Sequence, residues 1–227
     1  MVATVGSRHP GDGRDPEMSP KAYVYEQPTP RTAKGRRAVE VWRRAGREAF
    51  TNLGFLRTKL SDIAKIAGRG SASFYNYYDS KEDLLLDLAA EYDKEVLGRI
   101  KGGVRAGDPR QNLRATVETF WRVYTENQAV MHGVFQLSML DERFARHWYE
   151  IRERAIAGIE AEIRRAKKSS PSPRLDTEAG AMALSSMIEH FCYLWSTDRQ
   201  SFVEGKTDEE AISTIADLWY RALYGAA

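Results

Sequence analysis

Four histidines, one cysteine and a scatter of carboxylates are the side chains of this 227-residue chain that could serve catalysis or metal binding. His132, His147 and His190, with Glu118, Asp141 and Glu189, could be gathered by a helical bundle into a metal or acid–base centre. Their spacing does not support one. No histidine stands three residues after a glutamate, as in the di-iron bundles, and there is no phosphate loop or nucleophile motif. Cys192 stands alone, which excludes an intrachain disulfide and a cysteine-based zinc site and points to a reducing cytoplasm. Charge suggests another chemistry. Residues 31–80 carry eleven basic and four acidic side chains, whereas residues 1–30 balance at −1 and residues 81–227 at −4. A basic block on a mildly acidic body reads as a polyanion-binding module on a carrier, although a solvated basic helix face gives the same count.

The elements that would position such a module are short helices. Residues 1–30 hold five of the eight prolines and no apolar period, so they read as a disordered tail. Val41, Trp42, Ala45, Ala49, Phe50 and Leu53 recur at three- and four-residue spacings, with Arg43, Arg44, Arg47 and Glu48 opposite and Gly54 at the expected C-terminal position. A second helix is expected after Thr58 as N-cap, through Leu60, Ile63, Ala64, Ile66 and Ala67. Gly68-Arg69-Gly70 makes a tight turn into a short third segment, Ser71 to Tyr78. Two short helices joined by a glycine turn behind a longer amphipathic helix form the pattern of a helix-turn-helix, whose second helix enters the DNA major groove. Ser80 then caps a further helix with Leu84, Leu85, Leu88, Ala89 and Tyr92 as its stripe.

Gly54-Phe55, Thr58, Ile63-Ala64, Ala67-Gly68, Tyr75, Tyr77-Tyr78, Ser80-Lys81-Glu82 and Leu84-Leu85 together resemble the DNA-binding domain of TetR-type bacterial transcriptional regulators, over about residues 36–86. Beyond that stretch the resemblance is one of helical architecture. The pattern departs at Arg69-Gly70, where the family has Val-Ser, so that either Gly70 or Ser71 caps the recognition helix. It departs also at Ala72, at Tyr78 in place of Phe, and at Gly46 in place of a common alanine, which costs roughly 0.8–1 kcal/mol of helix propensity unless close packing needs it.

The resemblance implies phosphate contacts by Thr58, Tyr75 and Lys81, residue types that ordinarily fix docking register. Base reading would fall to Ser71, Ala72, Ser73 and Asn76, with Arg69 added: Asn pairs with adenine, Arg with guanine, and small side chains meet thymine methyls. Tyr77 fits either DNA contact or packing. Lys34, Arg36 and Arg37 could sweep the flanking backbone, or be merely solvated.

The remainder reads as helix throughout, with Asp108-Pro109 opening one, a long one over 141–168, a loop at 169–173, one from Leu175 to about Ser196, and one after Thr207. The fold class is therefore all-α: an N-terminal three-helix helix-turn-helix domain over 31–80 and a helical bundle over 81–227. The resemblance makes this body an effector-binding and dimerisation domain whose last two helices pair with a second copy. The expected interface is Ala183, Ser186, Ile212, Ile215, Trp219 and Leu223. The expected effector pocket draws on Trp121, Tyr124, Met131, Phe135, Met139, Trp148, Met187, His190, Phe191 and Trp195, although each of these fits a core as well. Mainly apolar pockets of this kind take small ligands. His132, Glu189 and His190 would orient them.

No run nears the roughly 18 apolar residues of a membrane helix, and the first residues lack the apolar stretch of a signal peptide. The expected protein is a cytoplasmic homodimeric regulator, most simply a repressor, of double-stranded operator DNA, released by a small-molecule effector, with no cofactor, metal or membrane partner. The alternatives are an effector-independent DNA-binding protein and an all-α enzyme.

Overall fold

The computed structural model describes residues 27–103, 107–169, 175–197 and 204–225. Among these every regular element is helical: α1 (Ala33–Leu53), α2 (Leu60–Ala67), a 3₁₀ helix (Ser71–Asn76), α3 (Lys81–Gly103), α4 (Pro109–Glu126), α5 (Gln128–Ser138), α6 (Glu142–Ser169), α7 (Thr177–Thr197) and α8 (Asp208–Tyr224). Residues 1–26 of the expected tail, and 170–173 of the expected loop, lie outside the described residues. Among the described residues no helix is long and apolar enough to cross a membrane.

The helix boundaries follow from local chemistry. Thr32, Asp108 and Thr207 accept backbone N–H groups at the starts of α1, α4 and α8, and Ser80 does so for α3. The expected cap of α2 is corrected by one residue. Lys59 is the N-cap, with Asp62 accepting its backbone N–H at 2.8 Å. Thr58 is instead buried, its hydroxyl donating to the carbonyls of Gly54 at 2.8 Å and Ala49 at 3.3 Å. Gly68 ends α2 at φ +63°, a left-handed conformation that favours glycine and turns the chain toward the 3₁₀ helix.

Two apolar cores share α3. In the head, Trp42, Phe50, Phe55, Ile63 and Phe74 pack on Leu84, Leu85 and Leu88, and Val130, Val134 and Phe144 from α5 and α6 close the same cluster. From Leu84 to Ala89 every α3 residue is buried, so the helix is central rather than amphipathic there. Gly46 belongs to that arrangement: a Cβ would sit 2.7 Å from Leu84 Cδ2, so close approach of α1 to α3 offsets its poor helix propensity.

The body core joins α4, α6, α7 and α8. Here the structure corrects the expected interface. Ile212, Ile215, Trp219 and Leu223 are buried within the single chain, where α8 lies along α4. The periodic stripe is core, as such stripes usually are. Ala183 is exposed, and Ser186 is half-buried and accepts an N–H of Arg152 at 3.1 Å. The large apolar side chains that the last two helices leave exposed are Met182 and Leu218, at 56% and 49%.

One charge lies fully inside the head. Asp87 accepts from Arg43 Nε at 2.7 Å and Nη2 at 2.9 Å, from the Tyr78 hydroxyl at 2.6 Å, and from Gln27 Nε2 at 2.9 Å. Gln27, placed in the tail by composition, is thereby tied to α3. Removing one partner of a buried ion pair strands the other charge. Asp87→Asn is expected to lower the unfolding free energy by roughly 3 kcal/mol. Tyr78→Phe, which leaves the pair intact, should cost about 1.5 kcal/mol. Urea denaturation measures both, and losses of a few tenths of a kcal/mol would mean that the network is not holding the head.

Candidate functional site

The 3₁₀ helix sorts its side chains by its own geometry. Its three-residue turn puts Phe74, and Tyr77-Tyr78 just past its end, toward the head core, and leaves Ser71, Ala72, Tyr75 and Asn76 exposed. Phe74 is the anchor. It meets Trp42 edge-on at 5.2 Å and Tyr78 at 5.2 Å, both buried. Gly70, not Ser71, is the N-cap, and Ser73 donates its hydroxyl back to the Gly70 carbonyl at 2.9 Å. Arg69 is exposed at the turn.

Most of the expected DNA-contacting residues therefore fall on one exposed surface: Arg69, Ser71, Ala72, Tyr75, at 58% exposure, and Asn76. Tyr77 is half-buried against the head core and Ser73 half-buried at the turn. Thr58 does not join them. Its hydroxyl is buried and donates inward, so the expected phosphate contact through that hydroxyl is corrected to a structural tie between α1 and α2. Lys81 opens α3 and reaches across to the same turn, donating to the carbonyls of Thr58 at 2.8 Å and Phe55 at 3.1 Å, with its ammonium 4.5 Å from the Phe55 ring. An ammonium carries three N–H donors, so one remains beyond these two bonds.

The body contains a second candidate site, a cavity of about 260 Å³ between α3, α4, α6, α7 and α8. Tyr124, Met131 and Trp148 line it, as does Glu189. The other expected pocket residues do not. Trp121, Phe191 and Trp195 form an aromatic cluster with centroids 5.4–6.0 Å apart, and the last two line a shallower depression against α8. Met187 is half-buried against the body core. Phe135 and Met139 lie on the outer side of α5 and its end, Met139 at 68% exposure, and His190 is exposed on α7 beside Tyr193. These corrections share one cause: aromatic and methionine content marks apolar surface, not which side of a helix faces a void. Missed were Tyr92, Val96 and Leu97 of α3 and Ile151 and Arg152 of α6. The continuation of the α3 stripe past Tyr92 was the available signal.

Burial sets the titration of the body. It raises the Glu189 carboxyl, opposed by Arg152 and by the Ser185 hydroxyl, and lowers His132 and His147. His132 is therefore the neutral imidazole at pH 7, with Nε2 3.3 Å from the Ser196 hydroxyl and edge-on contacts to Tyr124 and Tyr193.

The model of bacterial regulatory proteins of the tetR family matches residues 43–88, which take in the second half of α1 and run through α2 and the 3₁₀ helix to the buried stretch of α3. The chain is 28% identical over 177 residues to the HTH-type transcriptional regulator EthR of Mycolicibacterium smegmatis, covering 75% of this chain and 79% of that one. It is 25% identical over 122 residues to the HTH-type transcriptional repressor KstR2 of Rhodococcus jostii, covering 47% and 59%. In fold it is similar to a bacterial regulatory protein of the tetR family from Rhodococcus RHA1, with a TM-score of 0.69 and 22% identity over 84% of this chain and 99% of that one. Residues 43–88 thus form a DNA-binding domain of the tetR family of bacterial regulatory proteins, set on an all-helical body whose fold is similar to those of tetR-family regulators.

Proposed function

We propose that the protein is a cytoplasmic homodimeric repressor that leaves a palindromic operator when a mainly apolar small molecule fills the body cavity. In this reading residues 31–80 form the DNA-binding head and residues 81–227 the effector-binding and dimerisation body. The observation that carries it is the outward row of Ser71, Ala72, Tyr75 and Asn76, held by Phe74 and Tyr78 in the head core. KstR2 is named a repressor, which supports repression as the direction of control. Asn76, Ser71, Ala72 and Arg69 read base edges, with Ser73 and Tyr77 at the margins; Tyr75 and the remaining N–H of Lys81 meet phosphate.

Release follows from α3, which carries Leu84–Ala89 in the head core and Tyr92, Val96 and Leu97 at the cavity. A ligand acts only through unequal affinity for the DNA-fitting and DNA-misfitting geometries, typically a coupling of roughly 1–3 kcal/mol.

Specificity tests the DNA assignment. Asn76→Ala should change the ranking of operator variants by about 1–3 kcal/mol, while Tyr75→Phe should weaken all of them alike. Genomic fragments retained by the purified protein supply the operators, and fluorescence anisotropy at fixed salt measures the affinities. If Tyr75→Phe alters the ranking and Asn76→Ala does not, the reading face is rotated from the one assigned.

Assembly tests the dimer. With the α8 stripe inside the chain, the faces left for a second copy are those around Met182 and Ala183 of α7 and Leu218 of α8. Met182→Lys with Leu218→Lys should give a folded monomer, unchanged in circular dichroism, that binds operator at least tenfold more weakly. Ile215→Asp should unfold the chain instead, since it buries a carboxylate in the body core. Light scattering that shows an unaltered dimer for the double lysine variant would remove these faces from the interface.

A further inference from the structure

The segment ahead of α1 is built into the head. Residues 27–32 hold Pro28 and Pro30, both half-buried. Proline has a fixed φ and no backbone N–H, so the segment loses less chain entropy on docking and has two fewer donors to satisfy. Thr32, its last residue, caps α1 by accepting the Gly35 N–H at 3.0 Å, and Arg36 Nη1 donates back to the Arg31 carbonyl at 3.2 Å. Gly35 makes room for the segment. A Cβ there would lie 2.7 Å from Pro30 Cβ and 3.2 Å from Thr32 Oγ1. A proline ring cannot swing aside as a flexible side chain would, so a larger residue at position 35 would lift Pro30 from α1.

The other end of the segment sets one amide among four charges. Gln27 Nε2 donates to Asp87 Oδ1 at 2.9 Å and to Glu91 Oε1 at 3.0 Å, and Gln27 Oε1 accepts from the Lys94 ammonium. Asp87 and Glu91 also face Arg43, at 2.7 and 3.6 Å. Among side chains, only the amides of Asn and Gln offer two N–H donors and a carbonyl acceptor together. Lysine in that place would meet Lys94 and Arg43, and glutamate would meet Asp87 and Glu91. Asp87 is the shared acceptor. Its Oδ1 takes the Gln27 amide, and its Oδ2 takes the Tyr78 hydroxyl at 2.6 Å, two residues past the end of the 3₁₀ helix. Gln27 is thus joined to the end of that helix through one carboxylate and one phenol.

We propose that residues 27–32 are a clasp of the head and that Gln27 is a positioning residue for DNA recognition. It acts through Asp87 and Tyr78 on the outward row Ser71, Ala72, Tyr75 and Asn76, and its bearing on DNA rests on the reading given above. Without the amide, the Asp87 carboxylate is one bond short and held in fewer directions, so the Tyr78 hydroxyl and the helix end behind it lose their fixed place.

Two variants of the full-length protein reach the clasp by different routes. Gln27→Ala deletes the amide, and Gly35→Ala displaces Pro30 while giving α1 a better helix former. Amide hydrogen exchange in the free protein is the first readout, since the N–H groups of Ser73, Tyr77 and Tyr78 are bonded to the carbonyls of Gly70 and Phe74. Both variants should speed exchange over residues 71–78 about tenfold and leave residues 177–197 of α7 unchanged. The second readout is fluorescence anisotropy on the genomic fragment that the unaltered protein retains most tightly. Affinity should fall about fivefold or more in both variants, at an unchanged log–log salt slope, because no phosphate contact is removed. Unaltered exchange over 71–78, or equal acceleration in α7, would overturn the clasp. Slower exchange in Gly35→Ala, as a gain in helix propensity alone predicts, would overturn it too. A salt slope lower by about 0.9 for each subunit would make the segment a phosphate contact and overturn the positioning role. The exchange measurement needs no operator, so faster exchange with undiminished DNA affinity upholds the clasp and overturns only its bearing on DNA.

Discussion

The buried carboxylate of Asp87 is the constraint on which the DNA-facing surface depends. It lies with no solvent access within the buried apolar stretch of α3 and accepts four hydrogen bonds from three side chains. Each donor comes from a different place: Arg43 from α1, Tyr78 from just past the 3₁₀ helix, and Gln27 from the segment before α1. An ion pair in such a place is weak evidence for stability, because apolar side chains of similar volume often do as well. What it supplies is register. Leucine in place of Asp87 could pack in several ways, whereas a carboxylate with four donors in fixed directions admits one. The Tyr78 hydroxyl at 2.6 Å therefore sets where the 3₁₀ helix ends, and Phe74 against Trp42 sets how it is rolled. Between them these two contacts decide which side chains face outward.

That arrangement makes α3 more than a connector. Its first half is enclosed by α1, α2, the 3₁₀ helix and α5, and its second half forms a wall of the body cavity. Lys81 ties its first residue to the α1–α2 turn, and Arg154 ties Asp93 to α6. Interiors packed at crystal-like density transmit displacement rather than absorb it. The body and the DNA-facing surface are thus two ends of one rigid element, which is the physical requirement for coupling between them.

The sequence made the helices and their caps legible because both depend on nearby residues. The basic block, the glycine turn and the dozen spaced positions were enough to place the head. Thr58 was misassigned because a hydroxyl ahead of an apolar run satisfies the cap rule whether it bonds forward or, as here, back to the Gly54 carbonyl. Asp87 had a signal that went unread: one acid within Leu84-Leu85-Leu86-Asp87-Leu88-Ala89, a run apolar on every side, must be buried and so must be paired. The α8 stripe could not be assigned in the same way. A periodic apolar face states that something covers it, and α4 of the same chain satisfies that as well as a second copy would. For the cavity the limit is deeper, since a void is a property of how five helices cross and leaves no pattern in any one of them.

That void needs an account of its own. A cavity of about 260 Å³ between packed helices is more space than an ordinary helical core leaves between its side chains. Leucine and isoleucine side chains would collapse into such a space if the helices could close on it. Two ion pairs of the cavity wall, Asp93–Arg154 and Glu189–Arg152, bridge α6 to α3 and to α7. A third bridge works from α8, where the Tyr224 hydroxyl donates to Glu162 of α6 at 3.1 Å. The helix that floors this cavity also carries the head core, so in the proposed reading occupancy reaches the head only through the position of α3.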